Sequence, residues 1–303
     1  MTLSVIIPTL NAGRTFGELL QRLADQSLAP DEIIVIDSAS NDGTPATARQ
    51  AGCTVIGIDR ADFNHGGTRN RAAEAARGDI LVFMTQDAMP ADEHLLDRLT
   101  APLRDGTAVM AYARQVAREG ATPPEVFTRL SNYPDRSERR TLDDVGRLGV
   151  KAFFASNVAA AYDRRAWEAA GRFDPTVIMN EDMLACARLL RAGGAVAYQA
   201  SAVVVHSHHY TLAEQFRRYF DIGVFFANAG DALAGARSTG QGLRFARAQL
   251  AYLARRGRRR WLARTAVEAG LKFLGVQMGR HWRRWPRSWC RSFSLHRGFW
   301  SRR

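Results

Sequence analysis

DILVFMTQDA, residues 79–88, is the stretch on which the reading of this 303-residue chain turns. Its first half, Ile80-Leu81-Val82-Phe83-Met84, is apolar at consecutive positions, and so apolar on both faces of a strand. A short continuous run of that kind predicts a central strand of a covered, parallel sheet. The run then gives way to Thr85-Gln86-Asp87, with Pro90 and a new helical pattern beyond. In open α/β sheets ligands bind past the carboxyl ends of the strands, which puts Asp87 at the mouth of a site. A carboxylate there can hold a hard divalent cation against substrate phosphates. The plainer reading is that Asp87 caps the helix that follows.

Upstream, residues 3–7 (LSVII) and 32–37 (EIIVID) read as strands, each running into a polar turn: PTLNAG at 8–13 and SASNDGT at 38–44. Phe16, Leu19, Leu20 and Leu23 recur at helical spacing between them, and Thr44 is placed to cap a helix through Arg49. A third strand is expected at 53–58. This alternation predicts right-handed βαβ units. FNHGGTRN follows at 63–70, ahead of an Ala-rich helix at 71–76. Gly beside a helix start lets backbone N–H groups approach a phosphate, and Arg69 would add charge.

Downstream, a helix is expected at 92–103 and a strand at 107–114. Residues 119–149 break the pattern with Pro123-Pro124, Tyr133-Pro134 and a charged run, and read as a long functional loop. FFASNVAAAY at 153–162 resumes sheet-like character, although Ser156-Asn157 is odd for a strand covered on both faces. Glu181-Asp182 opens a helix that Gly193-Gly194 ends. Acidic residues in a first turn are favoured by the helix dipole, which is the ordinary explanation of such a pair. Short strands are expected at 195–199 and 202–205, the second leading into His206-Ser207-His208-His209, and a helix at 211–226.

The net charge of +12 is unevenly placed. Residues 231–303 hold 17 Arg and one Lys against Asp231 and Glu268, a net of +16, which leaves −4 on residues 1–230. Five of the six Trp (261, 282, 285, 289, 300) also lie in that last quarter. A boundary is therefore expected near Gly230, dividing the chain into 1–230 and 231–303. Three scattered Cys point to a reducing compartment and to no zinc site. Met1 leads into a strand without a basic segment, and no apolar run is long enough to span a bilayer, so neither a signal peptide nor a membrane span is expected.

PTLNAG, VIDSASNDGT, a lone-Asp variant of Asp-x-Asp in TQDA, a Glu-Asp pair opening a late helix and a His beyond it occur here in one order. Over roughly residues 3–226 this resembles the inverting family 2 glycosyltransferases. FNHGGTRN, FMTQDA, SNYP and HSHHYT followed by RRYFDIG resemble the rhamnosyltransferase branch. The resemblance implies an α/β GT-A nucleotide-diphospho-sugar transferase fold, with a mostly parallel central sheet flanked by helices. It implies that Thr9, Asn11 and Asp37 line the base and ribose pocket, with Arg69 near the nucleotide. Asp87 and His206 would hold Mg²⁺ or Mn²⁺ on the diphosphate, His208 and His209 being rivals to His206. Asp182 would be the general base, with Glu181 and then His208 as substitutes. Thr85-Gln86-Asp87 departs from the family by lacking the first Asp, so the metal site has one carboxylate fewer. The implied reaction moves L-rhamnose from dTDP-L-rhamnose to a cell-surface glycan acceptor, often lipid-linked; another nucleotide sugar such as a UDP-hexose is the alternative donor.

Two other classes compete. A dinucleotide-binding oxidoreductase should carry Gly-x-Gly-x-x-Gly in its first turn, where 8–13 has only Gly13. A non-catalytic Arg-rich nucleic-acid or scaffold protein leaves the polar strand ends unexplained. In the tail, Leu243, Ala246, Leu250 and Leu253, then Val267, Leu271, Leu274 and Met278, repeat at helical spacing, and Trp282, Trp285, Trp289 and Phe293 extend them as an aromatic line. Amphipathic helices with Arg and Trp fit an anionic membrane surface, as a peripheral protein on the cytoplasmic face. The long apolar stripe favours lipid over nucleic acid, and a homodimer interface is the other use of a Trp stripe.

Overall fold

The computed structural model describes residues 1–236 and 240–301. In chain order the elements are β1 (Leu3–Thr9), α1 (Phe16–Ala24), β2 (Glu32–Asp37), α2 (Thr44–Gln50), β3 (Thr54–Gly57), α3 (His65–Ala75), β4 (Ile80–Met84), β5 (Met89–Pro90), α4 (Leu95–Arg104), β6 (Met110–Val116), α5 (Pro123–Asn132), β7 (Glu138–Arg140), α6 (Val145–Leu148), β8 (Ala159–Asp163), α7 (Arg164–Ala169), α8 (Glu181–Arg191), β9 (Val196–Val205), α9 (Leu212–Asn228), α10 (Gln241–Arg255), α11 (Leu262–Arg280) and α12 (Arg287–Phe293). The sheet runs β3-β2-β1-β4-β8-β6-β9-β5, with β7 on β9.

β4 is central and fully covered, as its unbroken apolar run requires. It pairs parallel with β1 but antiparallel with β8, and β8 pairs antiparallel with β6, so the sheet is mixed although mostly parallel. This insertion decides where the site lies. The carboxyl ends of β1, β2, β4, β6 and β9 all meet one edge, and because β8 runs the other way, the residues just before it reach the same edge. Phe83, Tyr162, Trp167 and Phe173 pack beneath β4 with ring centroids 4.9–5.8 Å apart, a geometry that adds to their area burial.

Several local expectations need correction. Residues 119–149 are not a loop: Pro123-Pro124 starts α5, because a proline in the first turn lacks only an N–H that would be unpaired anyway. Gly66 and Gly67 lie inside the first turn of α3, where a Cβ on Gly66 would stand 2.6 Å from the Asp174 carbonyl oxygen. Close packing accounts for that glycine. Gly43 and not Thr44 caps α2. Ser156 and Asn157 precede β8, so no polar pair interrupts a strand. The two short strands before His206 are one strand, β9, whose pairing with β6 shifts register between Ala113 and Arg114.

The C-terminal helices share the main core. α11 crosses α9 at Gly223, Gly275 and Gly279, where a Cβ on Gly275 would come 2.7 Å from the Phe216 carbonyl oxygen. Cys290 and Trp300 are buried in the same cluster as Phe220, Val224 and Phe225, with Trp282 and Trp285 packed against it. The aromatic line of the sequence therefore does not face outward as a unit; of its members only Trp289 is largely exposed. Among the described residues no helix is long and apolar enough to cross a membrane.

Candidate active site

At the ends of β1 and β2 the polar loops are stitched together. Thr9 Oγ1 donates to Asp37 Oδ1 at 2.8 Å, and Ser40 donates to the same carboxylate through its N–H (2.9 Å) and hydroxyl (2.6 Å). Asn11, at φ +48°, accepts from the Asn41 N–H through its side chain and donates its own N–H to Ser40 Oγ. Asp37 borders a shallow groove of about 440 Å³ with Val55, Ile58 and Arg71, while Thr9 and Asn11 hold the loops behind it.

The second part forms where β5 folds back on β9. Met89 pairs with Val205 and Pro90 with Val204, which brings Asp87 beside the residues that leave β9. His206 Nε2 lies 3.5 Å and His208 Nδ1 3.9 Å from Asp87 Oδ2, and one ligand atom from each of the three residues falls within 4.8 Å of the others. Asp87 does not cap the next helix; His94 holds that position. Burial raises the Asp87 pKa, but His206 by hydrogen bond and charge, and His208 by charge, each when protonated, outweigh it and hold the carboxyl far below the aspartate range. His208 is pushed down to about 4 by burial and by His206, so it is a neutral imidazole at neutral pH.

Sequence reasoning missed how His206 is held. Gln115 Oε1 accepts from Arg129 (2.5 Å), while Gln115 Nε2 donates to Tyr133 Oη (2.7 Å) and Ser156 Oγ (2.9 Å). That network orients the amide, so His206 Nδ1, 3.0 Å from Oε1, must carry the proton. In a neutral His206 ring Nε2 then carries the lone pair toward Asp87, the arrangement a metal-ligating His requires. One carboxylate and such imidazoles fit a divalent cation.

The third part is the start of α8, entered through Asn180 at φ +59°. Asp182 Oδ2 accepts from the Asn157 N–H (3.0 Å) and Oδ1 from the Met183 N–H (2.8 Å). Glu181 is turned the other way. Its Oε1 meets Arg69 at 3.1 Å and the Asn157 side-chain amide at 3.3 Å, and Asn157 is itself anchored by Tyr162 Oη at 2.8 Å. Burial, reinforced by the Glu181 charge, raises the Asp182 pKa well above the aspartate range. Arg69 is only 5% exposed, bonded to Glu181 and to the His65 carbonyl oxygen. It is thus an internal ion-pair partner of Glu181 that also borders the large cavity shared with Asp87 and Asp182. Asn157 gave one signal in the sequence, the polar break at 156–157.

The second and third parts open into one cavity of about 790 Å³, bordered by Asp87, Asp182 and His206 on the sheet side and by α5, α9 and α11 opposite, while Asp37 borders its own separate groove. The chain's end closes it. Asp221 on α9 accepts the N–H groups of Leu295 (2.9 Å) and His296 (3.4 Å), and burial pushes its carboxyl up to about 7. His296 Nδ1 in turn lies 3.3 Å from His65 Nε2 at the start of α3. The sequence reading assigned none of this to the site.

Residues 4–170 match Glycosyl transferase family 2. The O-antigen chain rhamnosyltransferase RfbN of Salmonella typhimurium (strain LT2) is 39% identical over 99% of this chain and 96% of its own length. The O-antigen chain rhamnosyltransferase WbaN of Salmonella anatum is 36% identical over 98% and 95%. Among solved structures, the mannosyltransferase PcManGT of Pyrobaculum calidifontis, in complex with GDP-Man and Mn²⁺, superposes with a TM-score of 0.64 at 20% identity, covering 93% of this chain and 88% of that one, a likeness of fold. With its α/β sheet, its strand-end carboxylates and a family match over more than half its length, this chain belongs to glycosyl transferase family 2.

Proposed function

We propose that this glycosyltransferase is an inverting rhamnosyltransferase of polysaccharide assembly, using dTDP-L-rhamnose and an O-antigen-type glycan acceptor carried on lipid. Near full-length similarity to two O-antigen chain rhamnosyltransferases carries the choice of sugar. The reaction class rests on one observation: a carboxylate of raised pKa, Asp182, borders the same cavity as Asp87 and His206.

Asp37 would face the pyrimidine, on loops that Thr9 and Asn11 brace. Asp87 and His206 would hold Mg²⁺ or Mn²⁺, which when bound supplies Lewis-acid neutralisation of the leaving diphosphate. Asp182 takes the proton from the acceptor hydroxyl as that oxygen attacks the anomeric carbon. Its raised pKa suits the task, because a base whose pKa lies nearer the working pH is the stronger proton acceptor. Arg69 claims Glu181 as its ion-pair partner, so the acidic pair offers one carboxylate to the acceptor, and a single displacement inverts configuration.

The basic tail would bring this site to anionic lipid. Val267, Phe273 and Leu274 are exposed on α11, with the Arg-rich segments 255–260 and 283–284 at its two ends. Apolar contact plus Arg charge is the composition of an interfacial helix.

A donor screen tests the assignment. Turnover with dTDP-L-rhamnose should exceed that with UDP-glucose, UDP-N-acetylglucosamine or GDP-mannose by about tenfold or more in kcat/KM, and NMR of the product should show the inverted anomer. Equal turnover of a UDP-sugar would refute the rhamnose assignment; a retained anomer would refute the single displacement.

A further inference from the structure

Three residues could bring side chains to the cation from the end of β4, yet only Asp87 is acidic. Thr85 offers a hydroxyl, and the Gln86 amide is committed elsewhere, accepting from the Leu10 N–H at 2.7 Å and donating to the Leu10 carbonyl at 3.1 Å. The deficit is answered from the other strand. His206 and His208 are two apart on the segment leaving β9, and both present a ring nitrogen to the same oxygen, Asp87 Oδ2. Their rings stand at 87° with centroids 4.5 Å apart, so the two nitrogens converge instead of stacking past one another. His208 is steadied from behind by Tyr210 (5.3 Å), over which the Arg218 guanidinium lies at 5.6 Å. A cation at about 2.0–2.2 Å from each donor would hold them about 3–4 Å apart, close to the 3.5 and 3.9 Å that separate the two ring nitrogens from Asp87 Oδ2.

We propose that His208 is a third protein ligand, and that the resulting set of one carboxylate and two imidazoles selects first-row transition cations over Mg²⁺. The physical reason is donor type. Mg²⁺ demands oxygen and keeps its water, whereas imidazole nitrogen favours the transition ions, increasingly so from Mn²⁺ to Co²⁺. The inference rests on metal-assisted use of this site but not on the identity of the sugar. Its test reads coordination and not transfer, so failure of the rhamnose assignment leaves it intact.

The full-length protein is titrated with Mn²⁺, Co²⁺ and Mg²⁺ by calorimetry, and the Mn²⁺ form is examined by pulsed electron paramagnetic resonance. Affinity should rank Co²⁺ above Mn²⁺ above Mg²⁺, and the Mn²⁺ spectrum should contain hyperfine coupling to two imidazole nitrogens. His208→Ala should lose one of the two couplings and weaken Co²⁺ and Mn²⁺ binding by about tenfold or more, while Mg²⁺ binding changes less. The exposed neighbour His209 supplies the control, since His209→Ala should keep both couplings and the ranking. Thr85→Asp in the His208→Ala background should restore Mg²⁺ more than Co²⁺. Two nitrogen couplings persisting in folded His208→Ala, as judged by circular dichroism, would overturn the proposal, as would equal wild-type affinity for Mg²⁺ and Mn²⁺.

Discussion

The loops at the ends of β1 and β2 and the start of α8 are both built around aspartates, yet they spend them differently. Asp37 has both oxygens occupied by Thr9 and Ser40, donors that answer its charge from the turns beside it. Asp182 receives two backbone N–H groups but lies against a second carboxylate, Glu181, and is left with its proton affinity raised. The first region binds its charge to shape a loop. The second leaves its charge under-compensated, because burial and Glu181 outweigh the two N–H groups and Arg69, which pairs with Glu181. A carboxylate that shapes and a carboxylate that reacts are distinguished by who else claims the nearby donors.

The sharpest way to break that contrast is to neutralise each aspartate in turn. Asp182→Asn should lower kcat by about 10²–10⁴-fold, the usual worth of a positioned base, with donor affinity unchanged in calorimetry. Asp87→Asn should instead weaken metal-dependent donor binding. If Glu181→Gln proved the more damaging to kcat, the base would be Glu181.

Arg69 tests the other half of the contrast. Arg69→Met leaves Glu181 buried without its partner and should cost about 3–5 kcal/mol in denaturant unfolding. The double substitution with Glu181→Gln should recover most of that loss, because the uncompensated charge is gone. Additive losses would mean that the pair is not the reason the two residues are buried.

Asp221 gives a pH signature away from the chemistry. Its folded pKa, about 7, is above the unfolded value near 3.8, so the folded state holds a proton that the unfolded state has lost between those limits. Stability should therefore fall as pH rises from about 4 to 7, by up to about 1.4 kcal/mol per unit from this group, and level off above. Asp221→Asn should flatten that window in thermal melts. An unchanged slope would show that the latch on Leu295 and His296 does not titrate as placed.

The smallest effect is expected at the surface of α11. Removing residues 231–303 would take Cys290 and Trp300 from the core, so point changes are the cleaner probe of lipid contact. Phe273→Ser with Leu274→Ser should reduce binding to anionic vesicles in co-sedimentation, and leave turnover of a water-soluble acceptor within about twofold, since exposed substitutions change stability little. Unchanged vesicle binding would remove this face from the account.

What could be read from the chain follows from the range of the forces involved. β4 was legible because burial on both faces leaves an unbroken apolar run, and the α8 start because acidic residues mark a first turn. Strand direction leaves no such mark, so the antiparallel β8 between β4 and β6 could not be read, and with it the route by which Asn157 reaches Asp182. Pro123-Pro124 looked like a break because proline ends helices as well as starting them. Arg69 with Glu181, Gln115 with His206 and His65 with His296 are contacts between residues more than 90 apart, which no local pattern encodes.

Asp182 as the base is tested by the pH dependence of kcat at saturating donor and acceptor, wild type beside Asp182→Asn. A raised Asp182 pKa predicts an acidic limb in the wild type, with activity lost as pH falls through that pKa and the base takes up a proton. The same limb should be absent from the residual activity of Asp182→Asn. A wild-type profile flat down to the ordinary aspartate range, or an acidic limb that survives in Asp182→Asn at near-normal turnover, would contradict the assignment of Asp182 as the base.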